Sequence, residues 1–336
     1  MSSRKAILKP AFFVLFAVAL MVTALPSIAE SFIVRDGVVV EPARGVVYLM
    51  ESENVTARSL DNGDEIWSQP LTAQPLGLNG NTQQLVVLAE SPRPETVRVL
   101  FLNIADGQRE AEILGQLPKG IDAFIDQRPG RTFQASSTTV NGEVFLFWSY
   151  SGRPLRGAAR DLTVRAPRLD GEEAAAPAPG KNETVRQGAF RLNPVALTAT
   201  PVTDLESIQA PRFVPDLQPN ETLANIPGRQ FRSADDRYVL ASEKVADART
   251  WDRYRWTIYE RGSNVRLGEV REWRSTAPFF VVGSTLVSES APFMRRLPSG
   301  ETEENYLALR AVSLVNGREI WRVELRDTTY RGVFPP

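Results

Sequence analysis

The sequence predicts an all-β fold of short antiparallel strands, and three observations predict it. Nearly every apolar stretch after residue 30 is short, rich in β-branched or aromatic residues, and closed by Gly, Asn, Asp or Pro. No stretch there keeps a 3.6-residue apolar period with helix caps, apart from an ambiguous piece at 241–250, and many of the 24 prolines fall between strands. A nine-residue unit also recurs. Ser59-Leu-Asp-Asn-Gly-Asp-Glu-Ile-Trp67 and Ser313-Leu-Val-Asn-Gly-Arg-Glu-Ile-Trp321 agree at seven of nine positions.

The first element is a targeting segment. Arg4, Lys5 and Lys9 precede an apolar run from Ala11 to Leu25 broken only by Thr23, and Pro26-Ser-Ile-Ala29 ends it with a small-x-small pattern before Glu30. This is the layout of a secretory signal peptide cleaved after Ala29. The competing reading is an uncleaved anchor, because 10–29 carries no charge over about one bilayer span of ~20 residues. Neither a twin-arginine pair nor a lipobox cysteine is present. The expectation is a periplasmic or secreted protein with no stable membrane insertion after cleavage.

Strands follow at 32–34, 38–40, 46–49, 85–88, 97–102, 144–148, 238–240, 255–259, 279–282 and 306–312. Each good copy of the repeated unit follows such a strand. Asn62-Gly63 and Asn316-Gly317 supply the positive φ of a tight hairpin turn, and Trp67 and Trp321 begin the next strand, placed to pack between neighbouring sheets. Fainter copies are Leu102-Asn-Ile-Ala-Asp106-Gly107 and Trp148-Ser-Tyr-Ser-Gly152-Arg153, with later turns near Gly262 and Gly317. A period of about 40–50 residues, filled by four short strands, is the mark of propeller blades. Two stretches break it. The Ala/Pro/acidic run within 160–186 reads as a surface loop, and 202–230, with Pro211, Pro215, Pro219 and Pro227, reads as a long connection. Residues 30–336 are therefore expected to form one domain with these two insertions. The tail Tyr330–Pro336 is expected to pair with strands around Phe32–Val40 and close the ring.

The strand-then-Ser-Leu-Asp-Asn-Gly-Asp-Glu-Ile-Trp pattern resembles the quinoprotein-type (PQQ-like) β-propeller repeat, whose consensus runs through Ala-Leu-Asp-x-x-Thr-Gly-x-x-x-Trp. Segments 45–71 and 305–325 carry it well, and the middle of the chain carries it by spacing. The resemblance implies a β-propeller of four-stranded blades. The distance between the two strong copies, divided by a period near 42, predicts seven blades within a range of six to eight. The family's dehydrogenases have a vicinal cysteine pair, a calcium ion and a catalytic aspartate. This chain has no cysteine, and none of those other residues maps onto it. The resemblance therefore points to a non-enzymatic branch with no cofactor. Its best-known scaffold, the lipoprotein of outer-membrane barrel assembly, is tethered through a lipobox cysteine that this chain also lacks.

Composition narrows the chemistry further. There is no histidine, so no imidazole base, Ser-His-Asp triad or His-ligated metal is available; without cysteine there is no thiolate, disulfide or cysteine-ligated zinc. Lys+Arg of 39 against Asp+Glu of 40 leaves a formal charge of −1, which argues against a nucleic-acid partner. All but five of the basic residues are arginine. No GxGxxG, Walker, GxSxG or EF-hand pattern occurs. Asp122 with Asp126 forms a carboxylate pair on paper, though loop-end aspartates read the same way. The aromatic and basic cluster Trp251-Asp-Arg253-Tyr-Arg255-Trp256 is the candidate recognition surface. On a strand, Tyr254, Trp256 and Ile258 would face one side and Arg253, Arg255 and Thr257 the other. The leading expectation is a monomeric, non-catalytic platform for a protein partner in the cell envelope. The alternatives are a small-molecule or quinone-dependent enzyme using the central channel, and a sugar- or wall-binding module.

Overall fold

A computed structural model describes residues 31–80, 83–128, 130–152, 184–205, 208, 226–245, 253–296 and 299–328. These residues are β throughout, apart from one 3-10 turn at Pro42–Arg44. Sheet 1 runs β1 (Phe32–Arg35), β2 (Val38–Glu41), β3 (Val46–Met50), β4 (Val55–Ser59) and β5 (Glu65–Gln69). Sheet 2 follows with β6 (Ala73–Asn79), β7 (Gln84–Ala89), β8 (Thr96–Asn103) and β9 (Arg109–Gln116). Sheet 3 holds β10 (Arg131–Val140), β11 (Glu143–Gly152), β12 (Thr184–Asn193) and β13 (Thr198–Val202). Sheet 4 comprises β14 (Arg229–Arg232), β15 (Tyr238–Lys244), β16 (Tyr254–Glu260) and β17 (Arg266–Glu272). Sheet 5 starts with β18 (Phe279–Val282) and β19 (Thr285–Ser290). A separate hairpin, β20 (Phe293–Arg296) and β21 (Thr302–Asn305), interrupts it before β22 (Ala308–Ser313) and β23 (Glu319–Glu324). Every sheet is an antiparallel meander in chain order, the build of propeller blades.

The described residues form five such sheets, where the spacing predicts seven. The spacing between these sheets is not uniform. Sheet 3 has ten-residue strands and a 153–183 connection, and 203–228 links it to sheet 4, so four long steps separate the two strong copies. The copy assigned at 148–153 is also corrected. Gly152 lies at the end of β11, paired with Arg131 and Thr184, and turns nothing.

One turn joins the last two strands of sheets 1, 2, 4 and 5. The N–H groups of Gly63, Gly107, Asn264 and Gly317 donate to the carbonyls of Ser59, Asn103, Glu260 and Ser313 at 2.8–3.0 Å. Those four residues have φ of 75°, 73°, 57° and 70°. In sheets 1, 2 and 5 only this one position is left-handed, and in sheet 4 Gly262 has a positive φ of 94° as well, so the turn is a wider loop than a two-residue Asn-Gly hairpin. Asn62, Asp106 and Asn316 instead accept the N–H two residues on. The same bulge follows each turn, and volumes compensate across it: Ala57 faces Trp67, Ala311 faces Trp321, Phe101 faces Ala111 and Ile258 faces Gly268.

The core lies between sheets. Tyr48, Leu85 and Leu100 join sheets 1 and 2, while Phe101, Leu146 and Phe190 join sheets 2 and 3. Trp256, Phe279 and Leu286 join sheets 4 and 5. Leu49, Phe280, Val287 and Trp321 join sheet 5 back to sheet 1, closing the chain's ends on each other. The Trp321 indole N–H donates to the Leu60 carbonyl at 2.9 Å across that junction, as Trp67 donates to Ile104 between sheets 1 and 2. Phe32 meets Phe280 edge-on. Sheet 1 ends at β1, and the tail residues expected to pair beside it lie outside the described residues.

Candidate functional site

The two faces of this assembly differ. In each sheet, strand alternation sends successive connections to opposite ends. At one end, here the turn face, no connection exceeds five residues; 60–64, 104–108, 141–142 and 314–318 are typical. The opposite end, the loop face, takes 117–130, 153–183, 203–228, 245–253 and 291–307. Hydrogen bonds and ion pairs tie loop-face ends to one another. Arg35 pairs with Glu289 at 2.8 Å, and Arg274 lies 3.7 Å from the same carboxylate.

The chain after β23 crosses this face as a strap. The Arg326 guanidinium grips both oxygens of Asp126 at 3.1 and 2.9 Å and donates to the Ser52 carbonyl at 2.7 Å. Its backbone N–H reaches the Met50 carbonyl, and the Gln127 N–H reaches the Thr328 carbonyl at 2.7 Å. Asp126 is thus an anchor for the strap. Asp122 accepts the Glu95 N–H at 2.8 Å. The two aspartates of the sequence pattern serve separate anchoring bonds. Nearby, Asp36 sits in the β1–β2 turn, where burial holds its carboxyl above the usual range against the pull of Arg35. Trp273 takes Phe293 of the inserted hairpin edge-on at 6.0 Å and Arg274 over its ring at 5.0 Å.

The first strands of the sheets, with β2 in sheet 1, carry buried apolar side chains beside the buried polar Gln74, Asn79, Ser136, Ser137 and Gln230. Val38–Val40, Leu76, Phe231 and Phe279–Val281 are buried. The one carboxylate on these strands is Glu41, which accepts the Tyr48 hydroxyl at 2.9 Å; burial and that carboxylate push the phenol's pKa far upward. Among the described residues no group of three His, Cys, Asp or Glu could hold a metal ion. Sheet 3 carries a shallow cleft of about 400 Å³ between Phe145, Arg191, Thr200 and Ile208, with Arg191 paired to Glu143 at 3.3 Å on its rim.

The sequence-derived residues fall as follows. Asn62, Gly63, Asp106, Gly107, Asn316 and Gly317 lie in the repeated turns of the turn face. Trp67 and Trp321 lie in the junctions between sheets, each flat against the glycine of the next turn, so that a Cβ at Gly107 or Gly63 would stand 2.6 or 2.8 Å from the ring. Arg253 and Arg255 sit at the loop-face end of β16, and Trp251 lies outside the described residues. Arg255 bonds Glu243 across the ladder at 2.6 Å, which raises its pKa further. Thr257 is buried as well as Trp256 and Ile258, while the Arg255 side chain on the same side is 43% exposed. The loop-face strap and the inserted hairpin carried no sequence motif. Their signal was only the length of the connections.

No family model matches the chain, and no curated protein matches it. Among solved structures, hydrazine synthase of Kuenenia stuttgartiensis aligns over 84% of this chain and 69% of its own at 8% identity and a TM-score of 0.28. An uncharacterised protein of Listeria monocytogenes aligns over 91% and 97% at 8% identity and a TM-score of 0.28. A europium-containing methanol dehydrogenase aligns over 84% and 67% at 10% identity and a TM-score of 0.20. At these scores the fold assignment rests on the strand order described above.

Proposed function

We propose that the chain is a non-enzymatic relative of the PQQ-like repeat proteins, exported through its N-terminal segment, and that it works as a protein-binding platform in the cell envelope with the loop face as its binding surface. The observation that carries this reading is the asymmetry of the connections. Every long connection leaves the described strands at one face, while no connection at the other exceeds five residues. Long loops held by a rigid frame are the usual carriers of recognition. The strap through Arg326 and the Trp273–Phe293 contact hold parts of that face in place, which lowers the ordering cost of binding.

The test replaces the hairpin, residues 292–305, by a two-residue turn, and compares capture of proteins from an envelope extract by the parent and shortened chains. The reading expects a specific partner with the parent, lost or weakened at least tenfold on shortening, with the thermal midpoint little changed. Equal capture by both chains, or none by the parent, would overturn it.

A further inference from the structure

The junction between sheets 4 and 5 departs from its counterparts in a way that builds a site. Counting from the turn residue places equivalent positions. Eight residues after Gly63 stands Leu71, and seven before Gly107 stands Leu100; both belong to the apolar cluster joining sheets 1 and 2. The same positions between sheets 4 and 5 hold Glu272, buried, and Arg310, half-buried, ion-paired with each other. Arg310 also lies 3.9 Å from Glu319. The stapling tryptophan is missing too. Its position in sheet 4 is Gly268, whose backbone closes directly on the Leu314 carbonyl, and the space above Gly317 is open where Gly63 and Gly107 are each covered by an indole.

Beside Gly268 this leaves a cleft of about 270 Å³ lined by Val270, Val312 and Gly317 and by the charged Glu269, Arg271, Glu272, Arg310 and Glu319. The Ser288 hydroxyl, opposite Arg310 in the ladder, is buried without a hydrogen-bond partner. Burying an ion pair where two leucines would pack costs desolvation that the pair's attraction commonly fails to recover. An orphaned buried hydroxyl adds to that cost. Stability alone does not account for these residues at the mouth of a cleft.

We propose that the cleft binds a small zwitterion of the free α-amino acid type, with the ligand carboxylate towards Arg310 and its ammonium group towards Glu272 and Glu319. The lining carries both signs of charge, which favours a dipolar ligand over a singly charged one. Its volume suits a small molecule, since sites for drug-sized ligands run about 300–1,000 Å³. This site is separate from the loop-face platform and stands or falls independently.

The test is thermal melting of the full mature chain with glycine, L-alanine and L-glutamine, each up to ~10 mM, beside acetate and methylammonium at the same concentrations. The zwitterions should raise the midpoint dose-dependently, and the singly charged ions should not. In the Glu272→Leu/Arg310→Leu double variant, which restores the apolar pair of the sheet 1–sheet 2 junction, that response should vanish while the unliganded midpoint holds or rises. If this variant fails to fold, calorimetric titration of the parent against Glu319→Gln replaces it, with at least a tenfold loss of affinity expected. No response in the parent, an equal response in the variant, or equal stabilisation by acetate or methylammonium would each overturn the proposal.

Discussion

Replacing Trp321 by alanine tests whether the last sheet is stapled to the first. The ring is 7% exposed, its N–H is bonded at 2.9 Å to the Leu60 carbonyl, and its face covers Gly63. A buried tryptophan removes roughly 200 Å² from water, or about 5 kcal/mol at ~25 cal/mol/Å². Measured truncations of buried tryptophan cost about 3–5 kcal/mol, because the cavity relaxes only in part. For a chain of this size that corresponds to a drop of roughly 6–10 °C in melting temperature. Trp321→Phe keeps most of the area and orphans the Leu60 carbonyl, so about 1–2 kcal/mol should be lost. Trp67→Ala supplies the internal control, since Trp67 makes the same contacts between sheets adjacent in sequence. Urea unfolding of residues 30–336 followed by circular dichroism gives all three values. If Trp321→Ala costs less than about 1 kcal/mol while Trp67→Ala costs its full amount, the junction of sheets 5 and 1 does not form as described.

Other outcomes follow from the same geometry. Burial holds the folded-state pKa of Asp36 above 3.8, so its carboxylate opposes folding once pH rises through that folded value. Asp36→Asn should therefore raise the melting temperature at pH 7, with the gain shrinking as pH falls towards 4; an equal gain at both pH values would contradict the assignment. A double-mutant cycle on Arg326 and Asp126 should show a coupling of about 1–3 kcal/mol for this partly buried bidentate pair, and a coupling near zero would show the strap to be loose. Gly107→Ala should destabilise by more than an ordinary surface change, because φ is 73° and the new methyl would meet the Trp67 ring; unchanged urea midpoints would contradict this. Fused to a reporter that is active only after export, residues 1–35 should yield a product cleaved after Ala29, and an uncleaved membrane-bound product would favour the anchor.

The repeat was legible where it is carried by glycine and tryptophan. Asn62-Gly63 and Asn316-Gly317 mark the turn because only one residue there must be left-handed, and glycine fills it. In sheet 4 the same position is Asn264, and there the motif vanishes from the sequence although the backbone keeps its turn. Gly152 misled for the opposite reason, being a glycine in a strand with no turn to make. Charges at the sheet 4–sheet 5 junction were invisible for a different reason. Glu272 and Arg310 look like ordinary surface residues until the neighbouring sheet buries the one and half-covers the other, and only the ladder shows that they replace leucines. Face asymmetry could have been read from strand spacing alone, had the strand ends been placed correctly.

The most direct test of the platform is to place a photo-crosslinking phenylalanine analogue at one exposed position on each face. Tyr306 ends the long 291–307 connection on the loop face and is 45% exposed, while Val315 tips a turn on the other face and is 79% exposed. Irradiated in intact cells, the chain carrying the probe at 306 should yield a discrete crosslinked partner, and the chain carrying it at 315 should yield none. Crosslinking from 315 instead, equal crosslinking from both, or none from either would contradict the account.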